Sequence, residues 1–248
     1  MGTEGTTERA QDIYDPGFVR DVFDRCSASY RYWSQIASFG FVLLWRRQCV
    51  DRLPGPLPDG AAGMDLMAGT GEAWPYLLRR RPGIAAITAV DISSAMIRRA
   101  LDRLHRSRVD RIKLVEANVL ESALPAESAD FVISTFGLKT FNQGQQRRLA
   151  RELARLLKPG GTFSLIEASD PKGWVLHSLY RFYLDRVLPL IERTVLRGAQ
   201  DFAMLGVYTR HFGDCSFFAR CLAEEGLEVQ LEVLFFGCAT GVAGRKPR

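Results

Sequence analysis

The run Met64-Asp65-Leu66-Met67-Ala68-Gly69-Thr70-Gly71-Glu72 places two glycines where an apolar segment ends and an amphipathic one begins. Glycine at 69 and 71 lets the backbone turn tightly and touch a ligand that any β-carbon would hold off. Twenty residues after Gly71, Asp91 closes a second apolar run in Ala89-Val90-Asp91-Ile92-Ser93. A carboxylate there accepts hydrogen bonds from both hydroxyls of a ribose, so the pair predicts a nucleotide-like cofactor. A dinucleotide calls for a third small residue three positions past Gly71; Trp74 stands there instead, and the loop holds no basic residue. Glu72 at the helix start would repel a diphosphate and favour a cationic ligand. S-adenosylmethionine, a sulfonium with an amino-acid tail and no phosphate, meets these demands.

Methyl transfer from a sulfonium is an in-line displacement, so the protein must mainly align the partners and exclude water. A carbon acceptor on an aromatic ring needs its neighbouring phenol ionised, by a base or by a cation that stabilises the phenolate. Lys139, at the carboxyl end of the predicted fourth strand, is the candidate cation. Glu167, at the tip of the fifth, and His211, before the last helix, are candidates for proton transfer or substrate placement. His177 is expected as a pocket wall, and His105, among Arg103, Arg106 and Arg108, as surface. The five cysteines are odd in number, without C-x-x-C spacing or nearby histidines, and are read as reduced thiols with no metal site.

The elements that must position these residues follow from periodicity. Helical spacing from Phe18 to about Leu53 predicts two N-terminal helices, and the Pro/Gly-rich segment Leu53–Gly60 a boundary, so 1–53 is a helical cap and 54–248 the core. Residues 1–16 are expected to fray. Short apolar runs (Ala61–Met67, Ala85–Val90, Ile112–Ala117, Phe131–Thr135, Gly161–Ile166) then alternate with amphipathic stretches, the pattern of a parallel sheet covered by helices. The class is α/β: a Rossmann-like, seven-stranded, mostly parallel sheet. Leu227–Leu234 and Phe235–Val242 would form a C-terminal hairpin supplying an antiparallel edge strand. A long amphipathic helix, Trp174–Leu196, within an insertion at about 172–212, would roof an apolar pocket, with Tyr30, Trp33, Phe39, Trp45, Phe136, Tyr180 and Tyr183 near it.

The chain has 248 residues, 47% hydrophobic and 25% charged, enough to bury a core without staples and unlike a disordered chain. The N-terminus lacks the apolar stretch of a signal peptide and no long uncharged span occurs, so a cytoplasmic protein is expected. Thirty-three basic against 28 acidic residues, dispersed and mostly Arg, suit mild attraction to anionic ligands or a weak membrane-surface contact rather than nucleic acid. A nucleic-acid methyltransferase is disfavoured, since Ser134-Thr135-Phe136-Gly137 replaces the Asn/Asp-Pro-Pro-Tyr/Phe piece after strand four. A protein that keeps the cofactor as a regulatory ligand, or uses it in a non-methylating cyclisation, is not distinguished by fold. Homo-oligomerisation is left open.

The chain resembles the class I S-adenosylmethionine-dependent methyltransferases, and within them the ubiquinone/menaquinone biosynthesis C-methyltransferase family. The resemblance runs from about Val22 to Gly244 through Val22-Phe23 with Tyr30, Ser38-Phe39-Gly40, Leu44-Trp45-Arg46-Arg47, the Asp65–Glu72 loop, Leu124-Pro125 and Asp130. It continues through Phe136-Gly137-Leu138, Leu157-Lys158-Pro159-Gly160-Gly161, Glu167-Ala168-Ser169 and Val187-Leu188-Pro189. It implies that Asp65, Gly69, Thr70 and Gly71, with Met67 and Ala68 in the same loop, hold the methionine end. Asp91 would hold the ribose, Ile92 and Met96 flank the adenine, and Asn118, beside Val119, meet its amino group, with Thr135 at the end of strand four. S-adenosylhomocysteine would be the product and a small hydrophobic aromatic or quinol-like molecule the acceptor, most simply at carbon, with O- or N-methylation as alternatives. Four positions depart from the family pattern: Lys139-Thr140 stands for Arg-Asn, Arg31 for Asp, and Val42 for His.

Overall fold

A computed structural model describes residues 12–190 and 202–248. Strands β1 (Ala62–Leu66), β2 (Ala86–Asp91), β3 (Ile112–Glu116), β4 (Ala129–Thr135), β5 (Leu157–Ala168), β6 (Glu228–Leu234) and β7 (Ala239–Arg245) form one sheet in the order β3-β2-β1-β4-β5-β7-β6. Strands β1 to β5 pair in parallel, and the C-terminal β7 runs antiparallel to both β5 and β6. The expected α/β class and mostly parallel sheet are therefore present, with β7 lying between β5 and β6. Helices α4 (Trp74–Arg80), α5 (Ser94–Ser107) and α6 (Gln143–Leu156) make the crossovers. Asn142 and Gln145 close a reciprocal capping box at the start of α6, and the Ser93 hydroxyl accepts from Met96 N at the start of α5. Strand alternation sends Val132 into one core cluster, with Leu66, Leu153 and Phe163, and Phe131 and Ile133 into the other, with Leu77 and Ile87.

The chain lays β2 and β3 on one side of β1 and β4 and β5 on the other, so the carboxyl ends of β1 and β4 open a crevice, the usual ligand position in such sheets. The residues leaving both strands are strained: Met67 has φ 53° and Phe136 φ 69°. Non-glycine residues there cost on the order of 1–3 kcal/mol each and persist only where their surroundings fix them.

Four expectations are corrected. Three helices, not two, precede the sheet: α1 (Pro16–Cys26), α2 (Tyr30–Ala37) and α3 (Phe41–Asp51). The periodic stretch breaks where Phe39 and Gly40 turn to φ 49° and 81°. Residues 12–16 do not fray. The Tyr14 carbonyl accepts from Gln145 Nε2 at 2.9 Å, the Tyr208 hydroxyl donates to Ile13 O at 2.6 Å, and α1 begins at Pro16; the rest of the expected frayed segment, 1–11, lies outside the described residues. The stretch from Trp174 is not one long α-helix: α7 (His177–Phe182) runs into a π turn at Tyr183–Val187, and positions 191–196 lie outside the described residues. Helices α8 (Phe202–Phe212) and α9 (Ser216–Glu224) follow. The last strand begins at Ala239, because Phe235-Phe236-Gly237 form a 3-10 turn in which both phenylalanines take positive φ. No described helix is long and apolar enough to cross a membrane.

Candidate active site

The crevice at the ends of β1, β2 and β4 is a cleft in which the expected cofactor residues largely converge. Met67, Ala68 and Gly69 line it from the first loop, Asp91, Ile92 and Met96 from the end of β2, and Asn118, Val119 and Thr135 from the ends of β3 and β4. Asp91 is held by two backbone donors, Gly69 N to Oδ2 at 2.7 Å and Ser93 N to Oδ1 at 2.9 Å. Burial pushes its carboxyl up to about 6, against the pull of those two bonds. Asn118 caps the 3-10 turn Val119–Glu121, its Oδ1 accepting from Leu120 N at 3.1 Å.

Asp65, Thr70 and Gly71 are not in the cleft wall; they build it from behind. Trp74 Nε1 donates to Asp65 Oδ2 at 2.8 Å, and the Trp74 ring lies where a β-carbon on Gly71 (φ 75°) would stand. Burial pushes the Asp65 carboxyl up to about 7, with Trp74 and Arg46 opposing. The Thr70 hydroxyl donates to Glu72 Oε1 at 2.7 Å.

Sequence reasoning missed Arg46, and this corrects the charge argument drawn from Glu72. Arg46, reaching in from α3, is 2% exposed, with Nη2 2.7 Å from Glu72 Oε2; Arg103 Nη2 lies 3.5 Å from Oε1. Glu72 is thus a neutralised anion between two guanidiniums, and it does not present free negative charge to a ligand. Arg46 Nε and Nη1 and Asp65 Oδ1 are buried and have no hydrogen-bond partner among the described residues. Tyr14 and Gln145 also line the cleft. Tyr14 and Gln145 reach the cleft by tertiary approach from segments with no motif of their own, whereas Arg46 sits in the Leu44-Trp45-Arg46-Arg47 piece, which does not say that its side chain turns inward.

A second cavity of about 520 Å³ lies beside the cleft, and Tyr30 and Phe136 line both. Its walls are apolar: Val42, Trp45, Trp174, Tyr180, Tyr183 and Phe235 among them, with Phe39 at its side. The hydroxyls of Tyr180 and Tyr183 are turned to Ser169 O and Ala37 O, at 3.3 and 3.2 Å. Lys139 is the only charged residue lining it among the described residues. Its Nζ lies 2.6 Å from Glu167 Oε1, with side chains 5% and 0% exposed. Glu167 also accepts from Lys139 N at 3.0 Å and Ala168 N at 2.7 Å, so it holds the lysine and does not itself reach the cavity wall. A buried ion pair is weak evidence for stability, so its retention calls for another reason.

Three expected residues fall elsewhere. His211, at the end of α8, is exposed and lines neither cavity. His177 meets Asp170 Oδ1 through Nε2 at 2.8 Å, outside both walls, and Trp33 packs behind the cleft with Cys26, Tyr30 and Met96.

The cleft fits S-adenosylmethionine: Gly69 faces it with open space where a β-carbon would sit, Asp91 offers a carboxylate to a ribose, and Ile92 and Met96 offer apolar faces to a base. Sheet order, glycine loop and acidic strand end together define an S-adenosylmethionine-dependent methyltransferase. The profile of the ubiE/COQ5 methyltransferase family matches residues 8–246, and the chain belongs to that family. It is 28% identical over 197 residues to the ubiquinone/menaquinone biosynthesis C-methyltransferase UbiE of Idiomarina loihiensis, covering 79% of this chain and 77% of that one. It is 26% identical over 230 residues to the demethylmenaquinone methyltransferase of Lactiplantibacillus plantarum, covering 92% and 95%. Among solved structures, the fold is shared with a Haemonchus contortus phosphoethanolamine N-methyltransferase in complex with S-adenosyl-L-methionine, at TM-score 0.63 and 16% identity, covering 96% of this chain and 61% of that one.

Proposed function

We propose that this methyltransferase methylates a ring carbon of a small, hydrophobic, quinol-like acceptor. The observation that carries the reading is the meeting of two cavities at Tyr30 and Phe136, one fitted to an adenosyl group and the other apolar with one buried cation among its described residues. The names of the curated relatives point the same way. S-adenosylmethionine, when bound, supplies a methyl group on a sulfonium.

Asp91 accepts from the ribose hydroxyls, Asn118 meets the adenine amino group, Ile92 and Met96 flank the base, and the Asp65–Gly71 loop shapes the methionine end. In the neighbouring cavity Lys139 stabilises the oxyanion of an ionised ring hydroxyl, which raises electron density on the adjacent carbon. Glu167 positions that ammonium. The aromatic walls hold the ring in place and exclude water. Phe39, Leu176, Leu179 and Phe182, lining the cavity yet more than half solvent-exposed or nearly so, extend apolar surface outward for a tail on the acceptor. Exposed Lys172, Arg181 and Arg186, in the same stretch of chain as Leu176, Leu179 and Phe182, support a weak contact with an anionic lipid surface. Five free, buried thiols support a reducing, cytoplasmic setting.

The test is incubation with methyl-labelled donor and a panel of hydroquinones, phenols and lipid extracts, with the product's methylated atom located by NMR. Label on a ring carbon is expected. Label on oxygen or nitrogen would replace the C-methylation reading, and tight donor binding without transfer to any acceptor would favour a regulatory or cyclase role.

A further inference from the structure

Arg46 lies in the cleft wall, its guanidinium 5.5 Å from the centre of the Phe136 ring. Only Nη2 is engaged, by Glu72; Nε and Nη1 are buried with no acceptor among the described residues. A guanidinium does not shed its proton, and a buried charged donor without an acceptor is costly, so the arrangement is complete only when an acceptor enters the cleft. Glu72 supplies one negative charge to two guanidiniums, Arg46 and Arg103, and the other carboxyl that faces Arg46, Asp65, is pushed by burial toward its neutral form, so this corner is net positive. The acceptor it awaits is therefore an anion. Gly69 lines the same cleft and leaves open space where a β-carbon would sit.

We propose that Arg46 anchors the carboxylate at the amino-acid end of the cofactor and makes the cleft selective for adenosyl ligands that carry one. The proposal rests on the reading of the cleft as an S-adenosylmethionine site. The carboxylate is the only anion on that ligand, and the sulfonium and ammonium would be repelled by Arg46, so the residue also sets which way the methionine end lies.

Calorimetric titration with S-adenosylhomocysteine and with 5′-methylthioadenosine, which lacks the amino-acid end, tests this. Arg46→Met should weaken S-adenosylhomocysteine binding by about tenfold or more, as expected for a charge-assisted hydrogen bond, and leave 5′-methylthioadenosine affinity within about threefold. Arg46→Lys should recover part of the loss. Because Arg46→Met strands a buried Glu72, the double variant Arg46→Met/Glu72→Gln removes both halves of the pair and should show the same selective loss. Unchanged S-adenosylhomocysteine affinity, or an equal loss for both ligands in the double variant, overturns the assignment. A wild-type protein that binds neither ligand overturns the donor reading itself.

Discussion

Asp65 carries the sharpest pH prediction. Its carboxyl, buried against Trp74, is raised to about 7 from an unfolded value of roughly 4. A raised folded pKa contributes stability that is full below about pH 4 and lost as pH climbs through 7. Asp65→Asn keeps an oxygen for Trp74 Nε1 and cannot ionise. It should melt at least about 2–4 °C above wild type at pH 8, the shift that roughly 1 kcal/mol makes in a chain of this size, with the gap closing toward pH 4. A gap that is constant across pH, followed by calorimetry, contradicts the assignment. Lys139→Met should lower kcat by about a hundredfold while S-adenosylhomocysteine affinity stays within about threefold. Glu167→Gln should move the pH–rate profile, because the ammonium loses its anion; a lower Tm with an unmoved profile would mean that Glu167 is structural only. The glycines and Asp91 were legible in the sequence because their geometry is local to one strand and its following turn. Lys139, expected at the carboxyl end of the fourth strand, lies in the 3-10 turn Leu138–Thr140 that follows β4, and its partner in a buried pair was not foreseeable from two residues 28 positions apart. Arg46 stood in plain view within Leu44-Trp45-Arg46-Arg47, but no local pattern says which of two adjacent arginines turns inward.

At the level of elements, the parallel strands were readable because burial on both faces leaves short, largely apolar runs, as at residues 86–90 and 131–133. The helical segments were less so. Nothing in apolar spacing marks the break between α2 and α3, which depends on Phe39 and Gly40 adopting left-handed conformations, or the π turn after α7, which slips the register of Tyr183 and Val187 toward the cavity. Phe235 and Phe236 continue a strand-like pattern yet leave the sheet, Phe236 stacking on Trp174 at 5.6 Å between ring centres. The turn joining β1 to α4 has little tolerance. Gly71→Ala would place a methyl inside the Trp74 ring at a left-handed φ, and should destabilise by about 1–3 kcal/mol in urea titration, more than an alanine introduced on the exposed face of α6. Equal effects at the two sites would show that the ring moves aside freely.

For the whole molecule, Leu179 and Phe182 line the apolar cavity and are exposed, and the same stretch of chain carries exposed Lys172, Val175, Arg181 and Arg186. Co-sedimentation with phosphatidylglycerol vesicles should exceed that with phosphatidylcholine vesicles, weaken with salt, and fall in Leu179→Asp/Phe182→Asp. Binding that is indifferent to lipid charge or to the double variant removes the surface contact from the proposal. The seating of Trp74 on Gly71 reaches furthest in another direction. Because an indole fills the ground where a pyrophosphate-binding turn keeps a small side chain, and is itself tied to Asp65, conversion of this scaffold to redox chemistry with a dinucleotide would demand concerted change of loop, helix and strand. Substitutions in the neighbouring aromatic chamber carry no such demand, since they can alter the acceptor while the donor's seat stays as it is.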